Sequence, residues 1–155
     1  MKIGEAYLHW DDTDGRGGGE DGAGIVPHEE PPRRVKASEV IALARDMRVS
    51  KKKLIRALGF DRWDIMHKAR SGEYLNVEQS DLFTHMLGII ATINHFYFDG
   101  ALDHASLAAR REWGEYLDWE PFSLGYRPVS EYLRTIEGQR QVSAEIAAGF
   151  FGMCL

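Results

Sequence analysis

Cysteine is nearly absent from this 155-residue chain, proline is sparse, and long apolar runs are missing; each scarcity excludes something. The one cysteine, Cys154, leaves no intrachain disulfide to form, which points to a reducing compartment. "MLGIIATI" is too short, and too polar at its flanks, to reach the roughly 20 apolar residues of a membrane-spanning helix. Met1 to Trp10 has neither the basic start nor the apolar run of an export signal. The expectation is a soluble cytoplasmic protein with no membrane partner. Catalytic and ligand-binding signatures are missing as well. His85, His95 and His104 fall at irregular intervals, no paired metal motif occurs, and Cys154 has no base near it in sequence. The glycines between positions 15 and 24 neither follow a strand nor open a helix, so no phosphate cradle forms there. No enzymatic activity, cofactor or metal is expected.

What is present is charge, distributed in blocks. The formal net charge is -5, yet residues 33–72 carry twelve Lys and Arg against four acids. Residues 1–32 carry two basic residues against eight acids, and residues 73–155 carry five against twelve. A basic block between two acidic ones fits a polyanion partner for the middle of the chain and a different partner for its end. The alternative is an ordinary solvated surface.

Positions 1–36 read as a flexible acidic tail. "DDTDGRGGGEDGAG" has almost nothing to bury and many glycines to order, and "PHEEPPRR" continues as a proline-stiffened linker. A calcium-loop register fails: with Gly15 at the sixth position, Trp10 falls first and Asp21 twelfth, so the first ligand and the bidentate glutamate are both lost. "KIGEAYLHW" is compatible with a short strand or a docking segment. Deleting residues 1–34 is expected to leave thermal stability nearly unchanged and to spare or raise affinity for the polyanion that the basic block would bind.

From Ala37 the apolar spacing turns helical, and the expected fold is all-α. Val40, Ile41, Ala44 and Met47 mark a first helix over about residues 38–48, with Ser38 as its cap. Leu54, Ile55 and Leu58 form the buried face of a short second helix, which Gly59 ends. Asp61 caps a third, Arg62 to Arg70, with Ile65, Met66 and Ala69 inward and Gly72 closing it. Asn76 and Gln79 form a capping box before a long fourth helix whose apolar face holds Leu82, Phe83, Met86, Ile89, Ile90, Ile93 and Phe96.

Helix, glycine turn, helix is the spacing of a helix-turn-helix, and here it coincides with the basic block. In that geometry Arg62, Trp63, His67 and Arg70 face bases while Lys51, Lys52, Lys53 and Lys68 neutralise phosphates. A tri-helical unit with a purely structural role is the competing reading, since Asp61 and Asp64 put two acids on the supposed recognition helix. The DNA-binding region is drawn at 37–100 and a second helical domain at 101–155. In the latter, "ASLAARREWGEYLDW" gives a helix anchored by Leu107, Ala108, Trp113 and Leu117. The break "EPFSLGYRP" follows, and then short helical pieces near 130–134 and 138–148.

The order of residues in "LGYRPVSEYLRTIEGQRQV" resembles the end of the toxin-binding domain of Xre/MbcA/ParS-type antitoxins. Leu124, Gly125, Leu133, Thr135, Gly138 and Val142 carry the match, with Tyr126 standing where a second glycine is usual. Upstream, Leu58-Gly59, Gly72, Leu75 and "EQSDL" are similar to the helix-turn-helix that precedes this domain, so the resemblance spans roughly residues 38–152. It implies the antitoxin of a type II toxin–antitoxin pair: a homodimer that inhibits a RES-domain, NAD-degrading toxin and represses its own operon by binding operator DNA. It further implies a toxin-facing C-terminal domain, with Arg127 and Tyr132 on its surface. The apolar end "AAGFFGMCL" offers Phe150, Phe151, Met153 and Leu155 either to the core by folding back or to a partner's pocket; Gly149 and Gly152 would let it turn. The alternative function is a stand-alone helix-turn-helix regulator whose C-terminal domain dimerises or senses a ligand.

Overall fold

The computed structural model describes residues 33–101 and 104–153, the side chains of Phe150, Phe151 and Met153 excepted. Among these the fold is all-α. The helices are α1 (Ala37–Met47), α2 (Lys51–Ala57), α3 (Arg62–Ser71), α4 (Val77–Phe98), α5 (Leu107–Tyr116) and α6 (Ile136–Met153). Two short 3-10 turns, Phe122–Leu124 and Val129–Tyr132, lie between α5 and α6. No described helix is long and apolar enough to cross a membrane. The acidic stretch before Arg33, with the calcium register and "KIGEAYLHW", lies outside the described residues.

The helix ends follow local chemistry. Ser50 Oγ accepts from the Lys53 amide at 3.1 Å, and the Asp61 carboxylate accepts from the Asp64 amide at 2.8 Å. Asn76 and Gln79 exchange side-chain bonds to each other's amides at 2.7 and 3.1 Å, completing a capping box. At the far end of α2 the Phe60 amide reaches Ile55 O and the Gly59 amide reaches Arg56 O, a closure that leaves Gly59 at φ +71°. Gly72 closes α3 at φ +69°. Ser38 is not a cap. α1 begins at Ala37 after Lys36, whose side chain makes no capping bond; the Ala37 amide instead donates to Glu73 O at 3.1 Å. Paired backbone from the α3–α4 connection thus satisfies a donor that a helix start leaves open. Val35 belongs to the same splice: its amide donates to Ser80 Oγ, its carbonyl accepts from Leu75, and its side chain is buried.

α4 forms the spine, burying Phe83, Met86, Ile89, Ile90 and Ile93, with Leu82 and Phe96 half-buried at the edge of the stripe. A single apolar cluster runs from Val35 through Trp113 to Ile146, so the segments on either side of position 100 share one core. α5 lies across α1 so closely that a Cβ on Gly114 would stand 2.2 Å from Met47 O, and Arg110 reaches Asp46 at 2.7 Å beside it. That approach fixes the rotation of α5. Ala109, Trp113 and Leu117 turn inward at four-residue steps, whereas Leu107 and Ala108, expected as anchors, are exposed. α6 begins at Ile136 and continues through Gly149 and Gly152, so these glycines are helical rather than points where the chain turns.

Candidate functional site

α1, α2 and α3 form the tri-helical unit, and the four-residue link Leu58–Asp61 sets α3 across α2. Leu54, Ile55 and Leu58 are buried, as is Ile65; Met66 and Ala69 are half-buried. With those positions inward, Lys51, Lys52, Arg62, Trp63, His67 and Arg70 are all exposed, Trp63 by 82%. Arg62, Trp63, Met66, His67 and Arg70 line one hollow of about 330 Å3 on α3. An exposed indole beside two guanidinium groups gives this face stacking and hydrogen-bonding capacity as well as charge.

Two of the expected phosphate contacts are engaged elsewhere. The Lys53 ammonium lies 2.6 Å from the carboxylate of Asp118, which follows α5. Lys68 binds Asp64 at 3.0 Å, one turn along α3, and also reaches Gln79 Oε1 at 3.3 Å. The Gln79 amide in turn donates to Asp64 at 3.2 Å. These contacts, the Lys68 hydrogen bond foremost, hold the Asp64 carboxyl below its ordinary 3.8 despite a desolvation cost in the other direction. Asp64 and Lys68 therefore neutralise each other. The acid that counted against DNA binding costs the exposed face one lysine, and leaves it Arg62 and Arg70. His67 lies 3.9 Å from Glu73, both largely exposed.

Arg134 joins this face from far along the chain. Its aliphatic stem packs on Gly59, where an added Cβ would meet Arg134 Cγ at 3.1 Å. With Lys52, Arg56 and Arg62 it lines a cleft of about 360 Å3 at the α2–α3 turn. Among the described residues none of these four cations, nor Lys51 or Arg70, has an ion pair. Sequence reading missed Arg134 because nothing local marks it; its placement depends on Leu133 entering the core and α6 starting just after.

The C-terminal residues divide differently. Arg127 is exposed, but Tyr132 is half-buried and its hydroxyl donates to Leu124 O at 2.6 Å, so it serves the loop first. Phe150, Phe151 and Met153 lie on the last turns of α6 with side chains outside the description, and Leu155 lies beyond it. The conspicuous surface is one the helical spacing could not reveal. Phe122 is 78% and Tyr126 66% exposed, their rings meeting edge-on at 5.5 Å, and Trp119 is 40% exposed nearby in the chain. The loop carrying them is tied down: Tyr126 N–H donates to Pro121 O, Val129 N–H to Trp119 O and Ser130 N–H to Leu117 O. The available signal was three aromatics within "WEPFSLGY", a segment with no helical period.

No family model, curated protein or solved structure matches this chain.

Proposed function

We propose that the chain is the antitoxin of a type II toxin–antitoxin pair, binding operator DNA through α2 and α3 and a RES-domain toxin through its C-terminal part. The observation that carries the DNA half is the cluster of exposed cations, Lys51, Lys52, Arg56, Arg62, Arg70 and Arg134, none of them ion-paired among the described residues, on the face that also presents Trp63. Cations without partners release bound counterions when they meet phosphates, and that release drives binding.

The antitoxin half rests on the resemblance, and the residues that carry it have work to do in this fold. Leu124, Leu133 and Val142 are buried, Gly125 sits at φ +68°, and Thr135 Oγ1 accepts from the Gly138 amide at 3.0 Å. A Cβ on Gly138 would stand 2.0 Å from Tyr132 O. Tyr126, at the position where glycine is usual, has φ +57°, the backbone conformation that glycine favours. The matched residues are thus scaffold, while partner recognition falls to exposed groups around them: Arg127, Phe122, Tyr126 and the apolar end from Phe150.

The test has two arms. DNA from the region upstream of the gene is titrated with the full chain at several salt concentrations; sequence-selective, salt-dependent binding is expected. A neighbouring toxin is co-expressed with the full chain or with a chain lacking Phe150–Leu155, reading growth and cellular NAD. Protection by the full chain and its loss on truncation, with DNA binding kept, is expected. Full protection by a soluble truncated chain moves the inhibitory surface to Trp119–Tyr126. One observation favours the second reading, a stand-alone regulator with a sensing domain: α4, α5 and α6 line an open aromatic hollow, and α5 also packs on α1 of the DNA-facing unit.

A further inference from the structure

That cavity, about 460 Å3, is walled by Tyr97 from α4, Tyr116 from α5 and Trp119 just beyond it, with Glu112, Glu115 and Glu145 at its lining. Its volume is that of a small-molecule site. The rings are held in place: Tyr116 and Trp119 meet edge-on at 5.5 Å, the Tyr97 hydroxyl donates to Ile146 O at 3.5 Å, and the hydroxyls of Tyr116 and Tyr97 are hydrogen-bonded. Burial, with that bond and the nearby Glu112 charge, pushes the Tyr116 phenol up to about 12, so it stays neutral.

The charge around the rings is of one sign. Glu112 and Glu115, three apart on α5, share a helix face, and Glu145 approaches from α6. None of the three has an ion pair among the described residues. A cation entering the hollow therefore meets three carboxylates of one sign in its lining. A metal ion does not fit, because no group of three carboxylates, histidines or cysteines among the described residues is placed to hold one. Aromatic faces attract cations through the ring quadrupole, most effectively cations that shed water easily.

We infer that the cavity between α4, α5 and α6 binds a small organic cation of the alkylammonium class, its methylated head against Tyr97, Tyr116 and Trp119 and its charge balanced by Glu112, Glu115 and Glu145. This goes beyond the antitoxin reading and does not depend on it.

The test uses the full chain at low salt, titrated by NMR with choline and with 3,3-dimethylbutan-1-ol, its neutral counterpart of nearly the same shape. Saturable binding of choline is expected, with the alcohol weaker by about tenfold or more. Trp119→Ala and the double variant Glu112→Gln, Glu115→Gln should each weaken choline by about tenfold. These side chains line an open hollow, and unchanged circular dichroism and melting temperature confirm that each variant is folded. Spermidine, a polyamine without a methylated head, separates a built site from a merely acidic surface and should show no preference over choline. Absence of saturation by choline, equal binding of the alcohol, unchanged binding by Trp119→Ala, or tight spermidine binding without choline binding each overturns the assignment.

Discussion

Tyr126 keeps its backbone at φ +57° and is 66% exposed, so the residue bears a conformational cost without gaining a core contact. A left-handed position occupied by a side chain costs roughly 1–2 kcal/mol relative to glycine, and such a cost persists where the side chain has a use. Tyr126→Gly is therefore expected to raise unfolding stability by about 1 kcal/mol, read from urea midpoints, while weakening toxin neutralisation in co-expression. Gain in stability with neutralisation intact removes Tyr126 from the partner surface. Asp64 offers a second case. Its carboxyl is held below 3.8 in the fold by Lys68 and Gln79, so its contribution to stability is present above the unfolded value and lost as pH falls through the lowered one. Asp64→Asn should flatten the loss of stability below about pH 4, by a small amount because the side chain is partly exposed. An acid limb identical to the parent's shows that the contacts of Asp64 do not stabilise the fold. Neither feature is legible in the sequence as such. The departure from glycine at 126 is visible there, but its φ is set by the loop's closure onto Pro121.

At the scale of elements, what could be read was what is local. The starts of α2, α3 and α4 follow from Ser50, Asp61 and Asn76, each bonding an amide three residues on, and such bonds need no distant partner. The start of α1 was misplaced because its first amide is satisfied by Glu73 O, 36 residues away in chain order, and Ser38 offered a local cap that goes unused. Of the expected α5 anchors Trp113 and Leu117 are buried, while Leu107 and Ala108 were misread for the same reason, since the contact of Gly114 with Met47 O sets the rotation of the helix. Two glycines of the matched motif separate these cases experimentally. Gly125 has nothing within 4 Å of an added Cβ but a φ of +68°, so Gly125→Ala meets only backbone strain, about 1 kcal/mol. Gly138→Ala drives a methyl to 2.0 Å from Tyr132 O, between α6 and the preceding turn. Overpacking against backbone costs roughly 1–3 kcal/mol or more, so the second variant should be the less stable in urea melts. Equal losses show that the α6 start yields at little cost. Gln139, beside it, donates from a buried position to Leu82 O and Leu133 O and accepts on Oε1 from the His85 ring N–H, and Gln139→Leu should lose about 1–3 kcal/mol by leaving these groups without that partner.

Across the whole molecule, the basic block proves to be neither all available nor all there is. Lys53 and Lys68 belong to the block in sequence, yet each already holds a carboxylate, Asp118 and Asp64. Arg134 belongs to the acidic last block, yet lines the same cleft as Lys52, Arg56 and Arg62. The charge pattern marked α2 and α3 as cationic, and tertiary packing decided which cations stand exposed together. The consequence is measurable as a count of counterions. Each phosphate contact removed lowers the slope of log affinity against log salt by about one. Lys51→Ala with Lys52→Ala should thus flatten the slope by about two, and Arg134→Ala by about one. Lys53→Ala should change it much less than either, because its ammonium is bound to Asp118 before DNA arrives. If the Lys53 variant loses as much slope as a neighbour, the ion pair opens on binding and DNA competes for that lysine. If Arg134→Ala leaves the slope untouched, DNA is held by residues 37–100 alone and the end of the chain takes no part in it.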